Sequence, residues 1–506
     1  MSDSQPTDNA TSHKPGASGG PAKPLRVVVV GASGYIGTNL VPKLVERGHR
    51  VRAAARSREV LAARQWAGVE LAEADVLKPE TLAAALEGMD SAYYLVHAMR
   101  SGHRFSSMER QGAENFADAA ARAGLKRVIY LGGLIPQGVD SQHLVSRRAT
   151  GEQLRAGRVP VTEIRAGIIV GPGCASFEVI RDLVNHLPFM VTPRWVRSKS
   201  PPIALENLLE YLVRVAELDE AADKIYDVAG PERLTYEDLL RQYGEGVGKH
   251  PLIIPVPVLT PKLSSYWVRL VTAVPTSIAQ SLIEGLKLDI TADDAAIRKL
   301  VPQHLLTYRE AVAAVFEVER RNAVAARWTE GALMYRDYNP NYAYYAKKAS
   351  GEALAHASSE AVWAQVAAIG GENRYYFGNY LWTVRETLDW ALGGHGLNRG
   401  RRHPSEVRVG DTIDSWRVIG ADPPRRLTLA FGMKAPGAGV LEFDITPAGP
   451  DRTRITMTAY WHPAGVWGLM YWYAFAPSHF FVFNGMAQAI AKRAEIADGT
   501  SENKAR

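Results

Sequence analysis

The chain has 506 residues, more than one hydrophobic core usually supports, so two or three domains are expected. Its net charge of +6 is too diffuse over this length to indicate a nucleic-acid-binding protein. The single cysteine, Cys174, excludes an intrachain disulfide and a multi-cysteine metal site, and it favours a cytoplasmic location. Residues 1–24 are rich in Ser, Gly and Pro without the apolar core of a signal peptide, which predicts a disordered tail, and residues 499–506 are expected to form a second one.

A glycine-rich turn follows the apolar stretch Val27–Val30 and precedes a helix-like segment. Its sequence is Gly31-Ala-Ser-Gly-Tyr-Ile-Gly37, in which the first glycine permits a tight turn and the second lets backbone approach a pyrophosphate. The third lets the helix pack closely on the strand, and the helix N-terminus attracts anions. A turn without a ligand is the alternative. The pattern predicts a dinucleotide phosphate site formed by Gly31, Ser33, Gly34, Tyr35, Ile36 and Gly37.

Strand and helix signals alternate after this turn. Strands are predicted at residues 50–55, 69–74, 92–96 and 127–131, and helices at 80–87 and 109–123. This alternation predicts a Rossmann-type, doubly wound parallel α/β sheet with its cofactor contacts at the carboxyl ends of the strands. The residues at those ends are Arg56, Ser57, Asp75, Val76, Val96 and His97.

Arg56 bears on the choice of cofactor. It stands about 20 residues beyond the glycine turn, where an NAD-preferring protein usually carries a carboxylate for the ribose hydroxyls. A guanidinium there favours a 2′-phosphate, so NADP is predicted in preference to NAD. A solvated charge at the end of a strand is the alternative interpretation of Arg56.

Four motifs carry a family resemblance: the glycine turn, Ala74-Asp-Val76, Tyr94-Leu-Val-His97 and the tract 162–173. They resemble atypical short-chain dehydrogenase/reductase proteins, including NmrA-like and complex-I-accessory-like members. The resemblance covers about residues 25–320 of a domain predicted at 25–322, and the tracts 226–232 and 235–243 resemble the small substrate lobe of that family. It implies NAD(P)(H) binding and oxidoreductase chemistry on a small molecule.

The resemblance fails at the proton relay. Reductases of this family use a Ser to orient the carbonyl, a Tyr to exchange the proton and a Lys four residues later. Here the fifth strand ends in Gly132-Gly133. Aligning Arg148 with the Lys places Leu144 at the Tyr position, whereas the neighbouring register places His143 there. His143, Ser146 and Arg148 are therefore the catalytic candidates, with His143, Ser146 or water replacing the Tyr, and whether the protein turns over a substrate stays open.

One Tyr-x-x-x-Lys sequence does occur, at Tyr344 to Lys348. It lies beyond the segment that resembles a reductase, and we interpret it as a chance match.

Residues 323–498 show a different pattern. A helix-like stretch at 359–368 precedes three alternating segments near residues 427–431, 441–445 and 455–459, which predict antiparallel strands. Followed by an apolar final helix, they predict an α+β helix-grip fold. Several motifs here resemble an uncharacterised START-like (SRPBCC-type) domain found fused behind atypical reductases: Gly370-Gly371, Tyr375-Tyr376, Leu381-Trp382, Arg385, Asp389, 393–402, Gly410-Asp411 and 414–418. The resemblance implies the fold and a small-molecule-binding role.

The apolar stretch from Ile455 to Ala491 contains no Asp, Glu, Lys or Arg, which makes a membrane span the alternative to a buried helix. Pro463 and Pro477 are expected to limit its helix to about a dozen residues, fewer than the roughly 20 that a span needs. A buried or interfacial helix is therefore predicted.

Charged and aromatic side chains upstream of that stretch have two interpretations. Pairing of the loop arginines with nearby aspartates is favoured over the binding of an anionic head group. The residues concerned are Arg399, Arg401 and Arg402, with Asp389, Asp411 and Asp414. Three tryptophans, Trp382, Trp390 and Trp416, are predicted to lie in the core.

Three functions fit the sequence. The first is an NADP(H)-dependent oxidoreductase acting on an apolar carbonyl or quinone-like molecule. The second is a regulatory protein that senses NADP(H) without turnover, and the third is a lipid- or hydrophobic-ligand-binding protein using its START-like domain. The expected partner is a small apolar molecule, with no nucleic acid, no metal and no transmembrane span. Peripheral membrane contact stays open.

Overall fold

The computed structural model describes residues 24–62, 64–97, 105–136, 142–256, 271–272, 288–320, 346–391, 400–449 and 451–505. Nearly all of the predicted N-terminal tail, Tyr344, Arg399 and the predicted domain boundary after residue 322 lie outside these ranges.

A seven-stranded parallel sheet forms the centre of the first part of the chain, in the order β11-β6-β5-β4-β1-β2-β3. This confirms the predicted doubly wound fold. Valines on β1 point alternately to two hydrophobic clusters, one on each face of the sheet, as expected for a parallel sheet covered on both faces. The strands are β1 (Arg26–Val30), β2 (Arg50–Ala55), β3 (Glu70–Glu73), β4 (Ser91–Tyr94), β5 (Arg127–Gly133), β6 (Val161–Ala166) and β11 (Ile225–Val228).

Helices cover both faces of this sheet. Leu40 and Leu44 pack with Leu208 and Leu212 on one face, whereas Leu82 and Phe116 lie in the cluster on the other. The helices are α1 (Tyr35–Glu46), α2 (Arg58–Ala62), α3 (Pro79–Leu86), α4 (Phe105–Arg122), α5 (Gln142–Arg155) and α7 (Leu205–Glu217).

A small lobe with its own hydrophobic cluster adjoins the carboxyl end of β6. Tyr35, the first residue of α1, packs against the sheet cluster and also against the lobe cluster. The glycine turn therefore lies at the junction of sheet and lobe. The lobe contains three two-stranded pairs, β7 (Ile169–Val170) with β10 (Ile203–Ala204), β8 (Phe189–Pro193) with β13 (Leu252–Val256), and β9 (Lys199–Ser200) with β12 (Leu234–Thr235). Its helices are α6 (Ala175–His186), α8 (Tyr236–Gly246) and α10 (Tyr308–Arg320), whereas α9 (Ala295–Leu300) packs on the sheet cluster through Ile297.

The C-terminal part is a six-stranded antiparallel sheet in the order β14-β19-β18-β17-β16-β15. Alternate residues of three strands, such as Leu427, Phe443 and Met457, are fully buried, as the sequence predicted. Met486 and Ile490 of the final helix pack in the same cluster. The elements are β14 (Lys347–Ala355), α11 (Ser359–Ala367), α12 (Asn379–Ala391), β15 (Thr412–Ile413), β16 (Trp416–Asp422), β17 (Arg426–Phe431), β18 (Gly437–Gly449), β19 (Arg452–Pro463) and α13 (Gly465–Ala505).

The final helix is longer than predicted. α13 is one helix of 41 residues that continues through Pro477 and into the segment expected to be a C-terminal tail. The prediction that Pro477 limits the helix was wrong. A proline removes one backbone donor and strains one turn. Burial holds the helix on both sides of it, because Leu469 and Trp472 are buried before it and residues from Val482 onward pack in the sheet cluster, and Pro477 itself is exposed. Among the described residues no helix is both long and apolar enough to cross a membrane.

Two predictions about side chains in this domain need correction. Trp416 is buried and Trp382 packs against the core, but Trp390 is 60% exposed because it lies near the end of α12, away from the sheet. Arg402 pairs with Asp411, whereas Arg401 donates instead to the backbone carbonyls of Ala367 and Ile369, at 2.6 Å each.

The two other expected partners accept hydrogen bonds from backbone N–H groups, Asp414 from Gly371 and Gly400 and Asp389 from Lys434. A sequence cannot distinguish an Arg–Asp pair from two separate side-chain-to-backbone contacts, because both satisfy the same charged groups.

Candidate functional site

The glycine turn joins β1 to α1 at the carboxyl edge of the parallel sheet. Gly31 has a φ of +93°, and a β-carbon there would lie 2.8 Å from the carbonyl oxygen of Leu95. The turn is anchored because the N–H groups of Gly31 and Ala32 both donate to Ala54 O on β2, at 2.9 and 3.1 Å. Glycine at position 31 is thus required by the backbone conformation and by the approach of the chain after β4.

The other two glycines have different roles. A β-carbon on Gly37 would lie 2.6 Å from Ala32 Cα, so this glycine is needed for packing of α1 on the turn. Gly34 has an ordinary φ of −74°, is exposed, and its β-carbon would meet only Gly31 O, at 3.2 Å, among the described residues. Internal packing therefore explains glycine at 34 less well than close approach of a ligand does.

The N-terminus of α1 suits an anion. Within the residues that the structure describes, no side chain caps this end and no acidic residue lies in its first turn. Ser33, Tyr35 and Ile36 line the turn and are all partly accessible. Backbone N–H groups and the positive end of the helix dipole can thus hold a pyrophosphate, which is the group that the turn was predicted to bind.

The ends of β2 and β3 place four predicted cofactor residues along one edge. Arg56 is exposed directly after β2, and Ser57 accepts a hydrogen bond from Val60 N. Asp75 folds back to accept a hydrogen bond from Leu77 N at 3.0 Å, and the carbonyl of Val76 accepts one from Asn115 on α4. Of these four residues Arg56 alone carries a positive charge, and its side chain is exposed to solvent.

A buried hydrogen-bonded chain connects the end of β4 to α4 and α5. Glu109 on α4 accepts a hydrogen bond from Ser146 Oγ at 2.5 Å through one carboxylate oxygen. Its other oxygen is hydrogen-bonded to His97 Nδ1. Glu109 and Ser146 are buried, whereas the His97 side chain keeps some exposure. The structure thus joins His97, predicted as a cofactor contact, to Ser146, predicted as catalytic, and Val96 lies partly buried immediately before this histidine.

The protonation state of His97 follows from its surroundings. Burial lowers the pKa of His97 from its ordinary value of 6.5, and the positive charge of Arg147 acts in the same direction. The hydrogen bond with Glu109 opposes both effects without outweighing them. At neutral pH the imidazole is therefore neutral, and with Nδ1–H donated to the Glu109 carboxylate, Nε2 is the nitrogen that exchanges protons.

Helix α5 presents one of its two consecutive arginines to the sheet. Arg147 Nη2 donates to the carbonyl of Leu131 on β5 at 2.5 Å, whereas Arg148 is exposed. Arg147 is four residues after His143, which is the spacing of Tyr and Lys in the family. The alignment of His143 with the Tyr therefore places the Arg147 guanidinium at the Lys position, against β5. His143 lies in the first turn of α5.

Sequence reasoning missed Glu109 and Arg147. A signal for Glu109 was available, because it lies on the stripe of α4 that also carries the buried residues Ala113, Phe116 and Ala120. A carboxylate on the apolar stripe of a helix indicates a buried partner. Arg147 carried no comparable signal, since its difference from Arg148 depends only on the rotation of α5 against the sheet.

Two family models match the chain. Residues 31–157 match an NAD(P)H-binding family, and residues 341–486 match a family of proteins of unknown function, DUF2867. Together with the parallel sheet and the glycine turn, the first match shows that this part of the chain has a Rossmann-type fold and is similar to NAD(P)H-binding proteins. The second match defines a C-terminal domain whose START-like character stays a prediction.

The chain is also similar to curated proteins. The chain is 26% identical over 241 residues to the photosystem II assembly factor Ycf39 of Synechocystis sp., covering 46% of this chain and 71% of the relative. It is 32% identical over 128 residues to sterol demethylase protein B of Methylococcus capsulatus, covering 24% and 39%, respectively. It is 26% identical over 255 residues to sanguinarine reductase of Eschscholzia californica, covering 41% and 89%. The chain thus spans less than half of the sterol demethylase protein.

Solved structures also match. Triphenylmethane reductase of Citrobacter sp., complexed with NADP(H), is 19% identical with a TM-score of 0.48, covering 57% of this chain and 99% of that one. NADPH-dependent quinone oxidoreductase QOR2 of Escherichia coli, complexed with NADPH, is 18% identical with a TM-score of 0.48 and the same coverage.

Proposed function

We propose that this chain, from its NAD(P)-binding Rossmann domain, is an NADP(H)-dependent reductase of a small apolar carbonyl or quinone-like molecule. The observation that carries the proposal is the His97–Glu109–Ser146 chain, which lies at the carboxyl edge of the sheet where the glycine turn also lies. An imidazole oriented by a buried carboxylate at a dinucleotide site can exchange a proton with the substrate, which is the task of the missing Tyr and Lys.

The cofactor site and the relay have separate tasks. Gly31, Gly34 and Gly37 with the N-terminus of α1 hold the pyrophosphate, and Arg56 contacts the 2′-phosphate. A bound NADPH would supply the hydride that reduces the carbonyl carbon of the substrate. The protonated fraction of His97 would give its Nε2 proton to the carbonyl oxygen, leaving the neutral imidazole that predominates at neutral pH, and would regain a proton from solvent; in the reverse direction the neutral imidazole would accept that proton.

Glu109 and Ser146 act through His97. The Glu109 carboxylate fixes the Nδ1–H tautomer and stabilises the imidazolium when it forms, as a buried carboxylate beside a catalytic histidine does. Ser146 donates to the second oxygen of Glu109 and so holds the carboxylate in place. Arg147 keeps positive charge at the end of β5, in the position of the family Lys.

The test is turnover by the full chain. Incubation with NADPH and a panel of apolar ketones, enones and quinones should consume NADPH, followed by its absorbance. Glu109→Gln should keep NADPH binding but lower kcat by about 100-fold or more, because the amide cannot stabilise the imidazolium. The control is Glu114→Gln on the exposed side of α4, which should leave kcat unchanged. NADPH binding with no consumption across the panel would contradict the proposal and favour the regulatory function.

Cofactor preference gives a second test. Arg56→Ala should weaken binding of NADPH more than that of NADH, by about 1–3 kcal/mol, because a charge-assisted contact with the 2′-phosphate is lost. Titration of both cofactors measures this difference. Arg50→Ala is the control, since Arg50 is an exposed arginine at the opposite end of the same strand. Equal losses of affinity for the two cofactors would show that Arg56 does not contact the 2′-phosphate.

A further inference from the structure

Two helices of the C-terminal domain expose large apolar side chains. On α12, Tyr380, Val384 and Leu388 follow one another at helical spacing and are exposed. On α13, Trp467, Met470 and Phe480 are exposed, the first 69% and the last 75%. Single exposed apolar side chains are common on protein surfaces, but several large ones on two helices form a patch that indicates an interaction site.

The two helices lie side by side. Arg385 Nε on α12 donates to Tyr471 OH on α13 at 2.7 Å, and the ring of Phe377, just before α12, is 5.0 Å from that of Phe481. The start of α12 is thus beside residue 481 and its middle beside residue 471, so the helices run antiparallel. Their exposed sides form one surface, here called the aromatic face, about 20 Å long at 1.5 Å per residue from Trp467 to Phe480.

The aromatic face carries no charge of its own. The charged residues of α12 are Arg385, Glu386 and Asp389, which are all buried, and residues 465–491 of α13 contain no Asp, Glu, Lys or Arg. Lysines stand at its margins. Lys434 is exposed, and its own backbone holds it beside α12, because its carbonyl accepts a hydrogen bond from Arg385 and its N–H donates to Asp389. Lys347 Nζ donates to the carbonyl of Thr272 at 2.6 Å and lies 3.2 Å from Tyr473 OH on α13.

We propose that the aromatic face docks the protein onto the surface of an anionic lipid bilayer. Trp, Tyr and Phe are the side chains favoured at the boundary of head groups and acyl chains, where an amphipathic helix lies in the plane of the membrane. The uncharged centre enters that boundary, and the marginal lysines meet anionic head groups. Residues 465–491 of α13 contain no carboxylate and both carboxylates of α12 are buried, which matches an anionic surface and removes the repulsion that would oppose docking. This docking is independent of the proposed reductase activity.

The experiment is sedimentation of the purified full chain, without cofactor, with vesicles of phosphatidylcholine alone or mixed with phosphatidylserine. Binding is expected to the mixed vesicles and at least about 10-fold weaker to phosphatidylcholine, and high salt should reduce it. The double variant Trp467→Ser/Phe480→Ser should lose at least about 10-fold in binding while its melting temperature stays close to that of the wild type, since both side chains are exposed.

The matched control is Phe189→Ser, which removes an exposed aromatic side chain from the lobe and should leave binding unchanged. Three results would overturn the proposal: no binding of the wild type to either vesicle, equal binding of the double variant, or a concentration-dependent dimer in buffer that the double variant abolishes. The last result would assign the aromatic face to a second copy of the chain.

Discussion

Replacing Gly34 by valine should abolish NADPH binding, with a loss of affinity of about 100-fold or more, while the chain stays folded. The φ of Gly34 is one that valine adopts, and its β-carbon would meet only Gly31 O, at 3.2 Å, among the described residues. The branched side chain instead occupies the space through which a pyrophosphate reaches the N-terminus of α1. Calorimetric titration with NADPH measures the loss.

Two other glycines define the controls for this experiment. Gly246→Val, at an exposed glycine with open space around its β-carbon, should leave NADPH affinity unchanged. Gly37→Val is unsuitable, because its β-carbon would lie 2.6 Å from Ala32 Cα and the turn itself would be disrupted. Full NADPH affinity in a folded Gly34→Val chain would show that the glycine turn does not hold the cofactor.

Placing an aspartate at Leu469 should destabilise the C-terminal domain by about 3 kcal/mol or more, since it combines the loss of a buried leucine with the burial of a charge. Leu469 is only 7% exposed. Urea unfolding followed by tryptophan fluorescence measures the loss, because most tryptophans of the chain lie in this domain.

The neighbouring position gives the matched control. Trp467 is two residues earlier on the same helix and is 69% exposed, so Trp467→Asp should change the free energy of unfolding by less than about 1 kcal/mol. Equal destabilisation by both substitutions would contradict the orientation of α13. A stable Leu469→Asp chain would show that this part of the helix does not pack on the domain.

The aromatic face and the reductase site lie in different domains, and their experiments report different properties. Glu109→Gln tests proton exchange at the sheet edge, whereas the Trp467 and Phe480 variants test attachment to a surface. A protein with both properties would act on an apolar substrate near a bilayer, where such molecules accumulate. Failure of either experiment leaves the other proposal standing.

Local patterns were enough to predict the first half of the fold. The apolar run Val27–Val30 and the glycine turn identified β1 and α1, because a buried parallel strand needs apolar residues on both faces and this turn needs glycine at 31. In the second domain, alternation at residues such as Leu441, Phe443 and Ile445 predicted antiparallel strands with one buried face. These signals arise within a few consecutive residues, so no tertiary information was needed to read them.

Where a pattern competes with distant contacts, the sequence was less informative. Pro477 predicted a helix end, but burial of α13 against the sheet outweighs the loss of one backbone hydrogen bond. Trp390 was placed in the core because tryptophan is usually buried, whereas its position on α12 leaves it in solvent. In both cases the decisive contribution comes from packing between elements far apart in the chain.

The sequence by itself determined that this chain has a dinucleotide-type turn, a parallel sheet and a second, antiparallel domain, because each depends on local periodicity and backbone conformation. Only the tertiary structure brought His97, Glu109 and Ser146 together, since they come from the end of β4 and from two helices, and their hydrogen bonds depend on how those helices rotate against the sheet. It alone also aligned α12 with α13 into one aromatic face, because these two helices are separated by about 75 residues and meet only when the strands between them fold into the sheet.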